Sequence, residues 1–285
     1  MKKTIAGIVI LIALFISNNS FAQLELPRIS QKASVMQRIG LMDVTINYSR
    51  PNVKGRIIWG ELVPYNKVWR TGADEATTIS ISEDVTLNGN KVTAGKYALF
   101  TIPGKNEWTI VINSVAKQWG AFNYDSTKDI VRIKVKPVEN RFLESLTIYF
   151  SDVTTNSAVI NIVWEKLKVS FNIDTDTHAT VYRNIKTAIA AAKPDDWVVY
   201  AASSNYAADN DIHIDEALEW IDKSISIKST YYNNFVKARL LYKKEEFKEA
   251  QVYVKKSREL GKNEKDFQSI IPQIEKLEGD LKAKK

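Results

Sequence analysis

The sequence predicts an all-β antiparallel sandwich or barrel followed by an all-α helical-repeat domain, behind an N-terminal export signal. Apolar residues alternate with a period close to two from Ser34 to about Ile173, and after Asp174 the spacing changes to 3.6 residues. A chain of 285 residues also exceeds the roughly 100–200 residues of a typical domain. We therefore place a signal peptide at residues 1–22, a β-sandwich domain at 23–173 and a helical-repeat domain at 174–285.

The N-terminus has the three parts of a secretory signal peptide. Lys2 and Lys3 precede an apolar run, Ile5–Ile16, and Ser20-Phe21-Ala22 supplies small residues for a cut between Ala22 and Gln23. An uncleaved anchor is the alternative, but this run is shorter than the roughly 20 residues of a spanning helix. We expect a periplasmic or secreted protein with no membrane span after cleavage. The absence of cysteine excludes disulfides, thiol catalysis and a lipid-bearing cysteine.

The β domain is predicted from alternating strands separated by turns. Asn88-Gly89 favours a tight hairpin turn, because both residues tolerate a positive φ. Nine or ten short strands without a helical crossover indicate antiparallel sheets rather than a parallel α/β sheet. The clearest alternating segments are Val44-Ile46-Tyr48, Ile79-Ile81, Trp108-Ile110-Ile112, Val131-Ile133-Val135, Leu146-Ile148-Phe150, Ile160-Ile162-Trp164 and Leu167-Val169-Phe171.

One segment, Tyr48–Thr77, breaks the alternation and predicts a long ordered loop, where binding sites often lie. Guanidinium groups suit carboxylate or phosphate, and aromatic faces suit sugar rings, so we predict a site for an anionic or glycan ligand. The segment Trp119–Tyr124 is either an aromatic rim of this pocket or a packed turn. The candidate ligand-binding residues are Tyr48, Arg50, Lys54, Arg56, Trp59, Trp69, Arg70, Glu75 and Trp119.

A structural interpretation of the same residues competes with the ligand site. Arg70 and Glu75 would pair to fix the loop, and Trp59 and Trp69 would fill the core. Asp74 and Glu75 are sequence neighbours that would diverge on a strand, which argues against the paired carboxylates of a glycosidase.

The loop and two later segments resemble a known family. The residues that carry the resemblance include Tyr48–Pro51, Val53–Arg56, Leu62–Tyr65, Val68–Ala73, Ala94–Pro103 and Trp119-Gly120-Ala121. Over roughly residues 25–173 the chain resembles the bacterial exported family catalogued as domain of unknown function 2911, often found in Bacteroidetes. The resemblance implies an exported β domain and supplies no activity, cofactor or catalytic residue.

The C-terminal part contains an internal repeat. After a helix with Tyr182, Ile185 and Ile189, Pro194-Asp195-Asp196 opens a second helix. Glu216-Ala217, Trp220 and Lys223-Ser224 then recur 33 residues later as Glu249-Ala250, Tyr253 and Lys256-Ser257. This pattern resembles tetratricopeptide repeats, with the helices on either side as caps, and predicts a groove for a protein partner. A generic pair of helical hairpins is the alternative.

Catalytic chemistry has few candidates in this sequence. The only histidines, His178 and His213, fall in a predicted linker and at a helix start, so Cys-His and Ser-His-Asp arrangements are excluded from the β domain. No metal site and no cofactor are predicted. The formal charge of +7 comes largely from C-terminal lysines mixed with acids, which does not indicate a nucleic-acid partner.

Three functions compete. The first is an exported non-catalytic binding or assembly protein, with a small ligand on the β domain and a protein on the repeats. The second is an enzyme, a hydrolase or isomerase of an anionic substrate, that uses Arg50, Arg70, Glu75 and Tyr48. The third is a structural scaffold without a pocket.

Overall fold

The computed structural model describes residues 26–284, so the predicted signal peptide at residues 1–22 lies outside the described residues. The chain divides into two compact units between Thr175 and Asp176. Antiparallel sheets form the first unit and helices form the second, which confirms the predicted fold class. Within residues 26–284, none of the helices has both the length and the apolar character needed to cross a membrane.

Ten strands build the described part of the N-terminal unit, residues 26–175. All of their pairings are antiparallel, and the two sheets have the strand orders β1-β2-β3-β6-β7-β8 and β5-β4-β10-β9. The strands are β1 (Gln31–Ile39), β2 (Met42–Arg50), β3 (Thr78–Ile81), β4 (Val85–Leu87), β5 (Asn90–Val92), β6 (Gly95–Ile102), β7 (Trp108–Asn113), β8 (Asp129–Val135), β9 (Val138–Ser151) and β10 (Ser157–Asp174).

The two sheets share one hydrophobic core, and the six-stranded sheet has a second cluster made by other residues of its central strands. Every residue of β7 is buried, because Trp108, Ile110 and Ile112 enter the main core while Val111 enters the second cluster. Loop residues, among them Ala121, pack against this second cluster. Apolar contacts with the sheet therefore hold the loops around the candidate site in place.

Two local features test the predictions for the strands. The Asn88-Gly89 hairpin between β4 and β5 is confirmed, with φ values of 45° and 80°. The last two predicted strands form one 18-residue strand, β10, instead. Its register shifts on either side of Glu165, whose φ is 54°, so an irregularity and not a turn joins the two alternating runs.

The C-terminal unit contains six α-helices within the described residues. Asp176 and Asp196 cap the first two, each accepting a backbone N–H with its side chain. His178 lies in the first turn of α1 and not in a linker as predicted. The helices are α1 (Thr177–Ala190), α2 (Trp197–Asn210), α3 (Ile214–Ile227), α4 (Tyr231–Lys243), α5 (Phe247–Gly261) and α6 (Ile271–Lys282).

The internal repeat of the sequence forms two helical hairpins, α2 with α3 and α4 with α5. Equivalent serines close each hairpin, since Ser224 Oγ donates to Trp197 O at 2.9 Å and Ser257 Oγ donates to Tyr231 O at 2.7 Å. Both serines are fully buried. These matching contacts show that the recurring sequence builds recurring structure, while the tetratricopeptide assignment stays a prediction.

Candidate ligand-binding cleft

Residues 51–77 form an ordered loop fixed to the sheets by backbone hydrogen bonds, whereas the first three residues of the predicted loop are the end of β2. Trp69 N–H donates to Thr101 O at 2.7 Å, and Thr101 N–H donates to Trp69 O at 2.9 Å. A Cβ on Gly72 would lie 2.9 Å from Ser49 O, so the loop approaches β2 more closely than a side chain would permit. The loop is therefore part of the rigid scaffold.

Four tryptophans from this loop and two strands pack together. Trp59 lies edge-on to Trp69, Trp108 and Trp164, with ring centroids 4.8–5.9 Å apart. Trp69 stacks on Trp164 at 5.7 Å with an interplanar angle of 18°. Trp108 and Trp164 are buried, whereas Trp59 and Trp69 are half-buried against the core. The cluster supports the structural interpretation of Trp59, and Trp69 also faces open space.

A cleft of about 620 Å³ lies beside Trp69 and Trp164. Its lining includes four cationic side chains and no Asp or Glu. The apolar part of the lining includes Ile29, Leu62 and Phe122, which are exposed. The cationic residues are Lys54, Arg56, Lys67 and Arg70. A concave, cationic and partly aromatic surface of this kind favours an anionic ligand.

The two arginines of the cleft differ in their hydrogen bonds. Arg56 Nε donates to Val53 O at 3.0 Å and its Nη2 donates to Asn52 O, so this guanidinium holds the loop. Arg70 is half-buried, and its Nε is buried without a hydrogen-bond partner. Across residues 26–284, no acidic side chain lies within 4.0 Å of the Arg70 guanidinium. Arg70 is thus a positive charge without a partner at the wall of the cleft.

Two other predicted site residues join the two sheets and do not line the cleft. Arg50 Nε donates to Leu146 O, and its Nη2 donates to Thr147 Oγ1, both at 2.9 Å. Tyr48 accepts from Ile148 N–H at 3.0 Å through its hydroxyl oxygen. Both side chains reach from β2 to β9, so their contacts are those of structural residues.

Glu75 pairs with one residue before β1 and one at the start of β1, and not with Arg70. Arg28 Nη1 forms an ion pair with Glu75 Oε2, and Lys32 Nζ lies 3.5 Å from Glu75 Oε1. The hydrogen bond from Arg28 lowers the pKa of Glu75 below its usual value. Arg28 also lies over the exposed ring of Trp119, 5.7 Å from its centroid. Glu75 and Tyr48 line a separate depression of about 380 Å³.

The segment Trp119–Tyr124 contributes one wall of the cleft through Phe122 and Ala121. Gly120 has a φ of +66°, and a Cβ there would lie 2.9 Å from the Phe122 ring and 3.2 Å from Arg70 Nη1. Glycine therefore lets this turn pass close to both side chains. Tyr124 anchors the end of the segment by donating to Asp129 Oδ2 at 2.6 Å. Burial and this carboxylate raise the pKa of Tyr124 to about 12.

The predicted site residues are thus divided among different places. Lys54, Arg56, Trp69 and Arg70 line the cleft. Tyr48, Arg50 and Trp59 belong to the scaffold, and Glu75 and Trp119 meet Arg28. Ile29, Lys67 and Trp164 also line the cleft and are not among the predicted site residues. Lys67 lies in the loop singled out from the sequence, but nothing local distinguishes the other two from ordinary terminal and strand residues.

The histidines lie in the helical unit. His213 stacks on Tyr182 with centroids 4.0 Å apart, and its Nδ1 lies 3.7 Å from Glu216 Oε2. Asp215 and Glu216 occupy the first turn of α3, where acidic residues stabilise the positive end of the helix dipole. The described part of the chain contains no group of three or more His, Cys, Asp or Glu residues suited to a metal ion.

Comparison with known proteins identifies a family for the N-terminal unit. A family model described as "Protein of unknown function (DUF2911)" matches residues 30–173, about half of the 285-residue chain. Among curated proteins and among solved structures, no significant match is found. The matched range contains the cationic cleft residues, the four packed tryptophans and Phe122.

Proposed function

The chain belongs to this family of proteins of unknown function, which brings no activity with it, and we propose that its N-terminal unit binds a small anionic ligand without chemical change. The observation that carries the proposal is the Arg70 guanidinium. It lines a cleft that has four cations and no carboxylate, and its Nε has no hydrogen-bond partner.

The environment of the Arg70 guanidinium lowers the stability of the unit when no ligand is bound. A partly buried charge loses hydration, and a buried donor without a partner costs about 1–3 kcal/mol. A bound carboxylate or phosphate oxygen would accept from the terminal N–H groups of the guanidinium and offset the lost hydration of the charge. Lys54 and Lys67 are exposed on the same cleft and would strengthen the attraction at low salt.

The contacts of the other predicted residues give less support to the enzyme alternative. That alternative needs Arg50, Arg70, Glu75 and Tyr48 in one place, whereas Arg50 is bonded to β9 and Arg70 and Glu75 line different depressions. The lowered pKa of Glu75 favours its ionised form, which does not suit a proton donor near neutral pH. The scaffold alternative needs no cleft, and a cleft is present.

For the rest of the chain, we propose export to the periplasm or the medium and a protein partner on the helical unit. The first proposal is supported by the composition of residues 1–22. The second is supported by the repeated hairpins, since stacked helical hairpins offer an extended surface to a partner.

Isothermal titration calorimetry with inorganic phosphate, at low ionic strength, tests the ligand proposal. Arg70→Gln should weaken phosphate binding roughly 10- to 100-fold, the value of one charge-assisted hydrogen bond. Arg38→Gln is the matched control, because it removes the same charge far from the cleft. The start of β1 at Gln31 lies next to the lining residues Ile29 and Ser30, and Arg38 is seven residues further along the strand, roughly 23 Å away. Equal phosphate affinities for the two variants would contradict the proposal.

A further inference from the structure

We infer that the ligand is an amphiphile with one anionic head, a carboxylate or a phosphate ester, and an apolar tail, taken up as a single molecule. The inference rests on the proposed function and adds the chemistry of the rest of the ligand. The head would meet Arg70, and the tail would lie between Leu62 and Phe122.

The exposed apolar side chains of the cleft are the evidence for an apolar tail on the ligand. Phe122 is 81% exposed, Ile29 is 86% exposed and Leu62 is 44% exposed, and all three line the same cleft. Apolar side chains grouped around a concave surface mark a binding site more often than side chains scattered singly. Their position beside a charge without a partner matches a molecule that has one charged and one apolar end.

The hydrogen-bonding groups that line the cleft suit an anionic amphiphile better than a glycan. Sugar hydroxyls both donate and accept hydrogen bonds, so a sugar site needs acceptor side chains as well as donors. The cleft has no carboxylate, and Asn52 Oδ1 already accepts from Ser145 Oγ. Trp69 Nε1 is likewise occupied, since it donates to Gly72 O at 3.0 Å. Apart from Ser30, whose hydroxyl both donates and accepts, the side chains that remain free suit an anion and an apolar surface.

A single molecule fits the cleft better than a membrane surface. The volume of about 620 Å³ lies within the range of small-molecule sites. Arg70 is half-buried at the wall of the cleft, so a lipid headgroup in a bilayer would have to leave the membrane plane to reach its guanidinium.

A series of straight-chain carboxylates from acetate to octanoate, with 1-octanol as the neutral analogue, tests the inference by calorimetry. Each added methylene should tighten binding roughly two- to fourfold, the upper figure being that of full burial. We expect 1-octanol to bind at least tenfold more weakly than octanoate. Phe122→Ser should lower the octanoate-to-acetate affinity ratio roughly fivefold, whereas the matched Phe142→Ser, at an exposed residue of β9 outside the cleft, should not change it.

The outcomes separate this inference from the proposed function. If phosphate and acetate bind through Arg70 and chain length has no effect, the amphiphile is wrong and the anion site stands. If the binding of neither anion depends on Arg70, the proposed function is wrong, and the amphiphile inference fails with it. Co-sedimentation with phosphatidylglycerol vesicles that is lost in Phe122→Ser, without binding of monomeric octanoate, would instead assign the surface to a membrane and overturn the inference.

Discussion

Two arginines of the same loop region should respond in opposite ways to loss of their charge. Arg50→Met removes two hydrogen bonds of 2.9 Å, to Leu146 O and Thr147 Oγ1. Hydrogen bonds from a charged group contribute about 1.5–3 kcal/mol each, and partial burial places these near the lower limit. We therefore expect Arg50→Met to lower the free energy of unfolding of the N-terminal unit by about 3 kcal/mol.

Arg70→Met should instead raise that free energy by about 1 kcal/mol, the lower limit of the cost of a buried donor without a partner. Its side chain donates no hydrogen bond to the described residues, and it lacks an acidic partner there. Methionine keeps most of the aliphatic volume and removes the charge. A residue kept for a ligand, and not for the fold, behaves in this way.

Urea unfolding followed by near-ultraviolet circular dichroism is the assay, because the cluster of four tryptophans belongs to the N-terminal unit. Trp197 and Trp220 of the helical unit also contribute to the signal, so the Arg50→Met and Arg70→Met curves are each compared with that of the unsubstituted chain. For a unit of this size, the Arg50→Met loss corresponds to a fall in Tm of roughly 6–12 °C. A loss of more than 2 kcal/mol in Arg70→Met would refute the reasoning, since Arg70 would then be a structural residue. An unchanged free energy of unfolding in Arg50→Met would refute the structural role given to Arg50.

Three further predictions follow from single contacts. Gly120→Ala should destabilise the N-terminal unit by about 1–3 kcal/mol, because alanine is strained at a φ of +66° and its Cβ would press on Phe122; an unchanged Tm would show that the turn rearranges freely. The pKa of Tyr124 is raised to about 12 in the fold, so its stabilising contribution is complete below pH 10 and is lost as the pH rises toward 12. Tyr124→Phe should therefore lose less stability than the unsubstituted chain between pH 10 and about pH 12. Identical stability profiles for the two proteins would contradict this prediction. Ser257→Ala should lower the free energy of unfolding of the helical unit by about 1 kcal/mol in urea, because the carbonyl of Tyr231 loses its hydrogen bond. An unchanged free energy of unfolding would show that this hydrogen bond does not stabilise the hairpin.

Much of the fold was predictable because its causes are local. Alternating residues such as Val44, Ile46 and Tyr48 produce one buried face of a strand whatever its partner is. Asn88-Gly89 forms its turn because two adjacent residues accept a positive φ. The continuity of β10 was not predictable, since the two alternating runs are joined by an irregularity that local sequence does not distinguish from a turn.

The candidate site was predictable in region but not in detail. The sequence by itself determined that Tyr48–Thr77 is an unusual loop rich in cations and aromatic residues. It could not distinguish Arg50 from Arg70, because their difference lies in partners from remote parts of the chain. Only the tertiary structure placed Arg50 against β9, 96 residues away, and left Arg70 without a partner in a cleft completed by Trp164. The physical reason is that periodicity and turn chemistry act between neighbours, whereas ion pairs, hydrogen bonds and clefts join residues that only folding brings together.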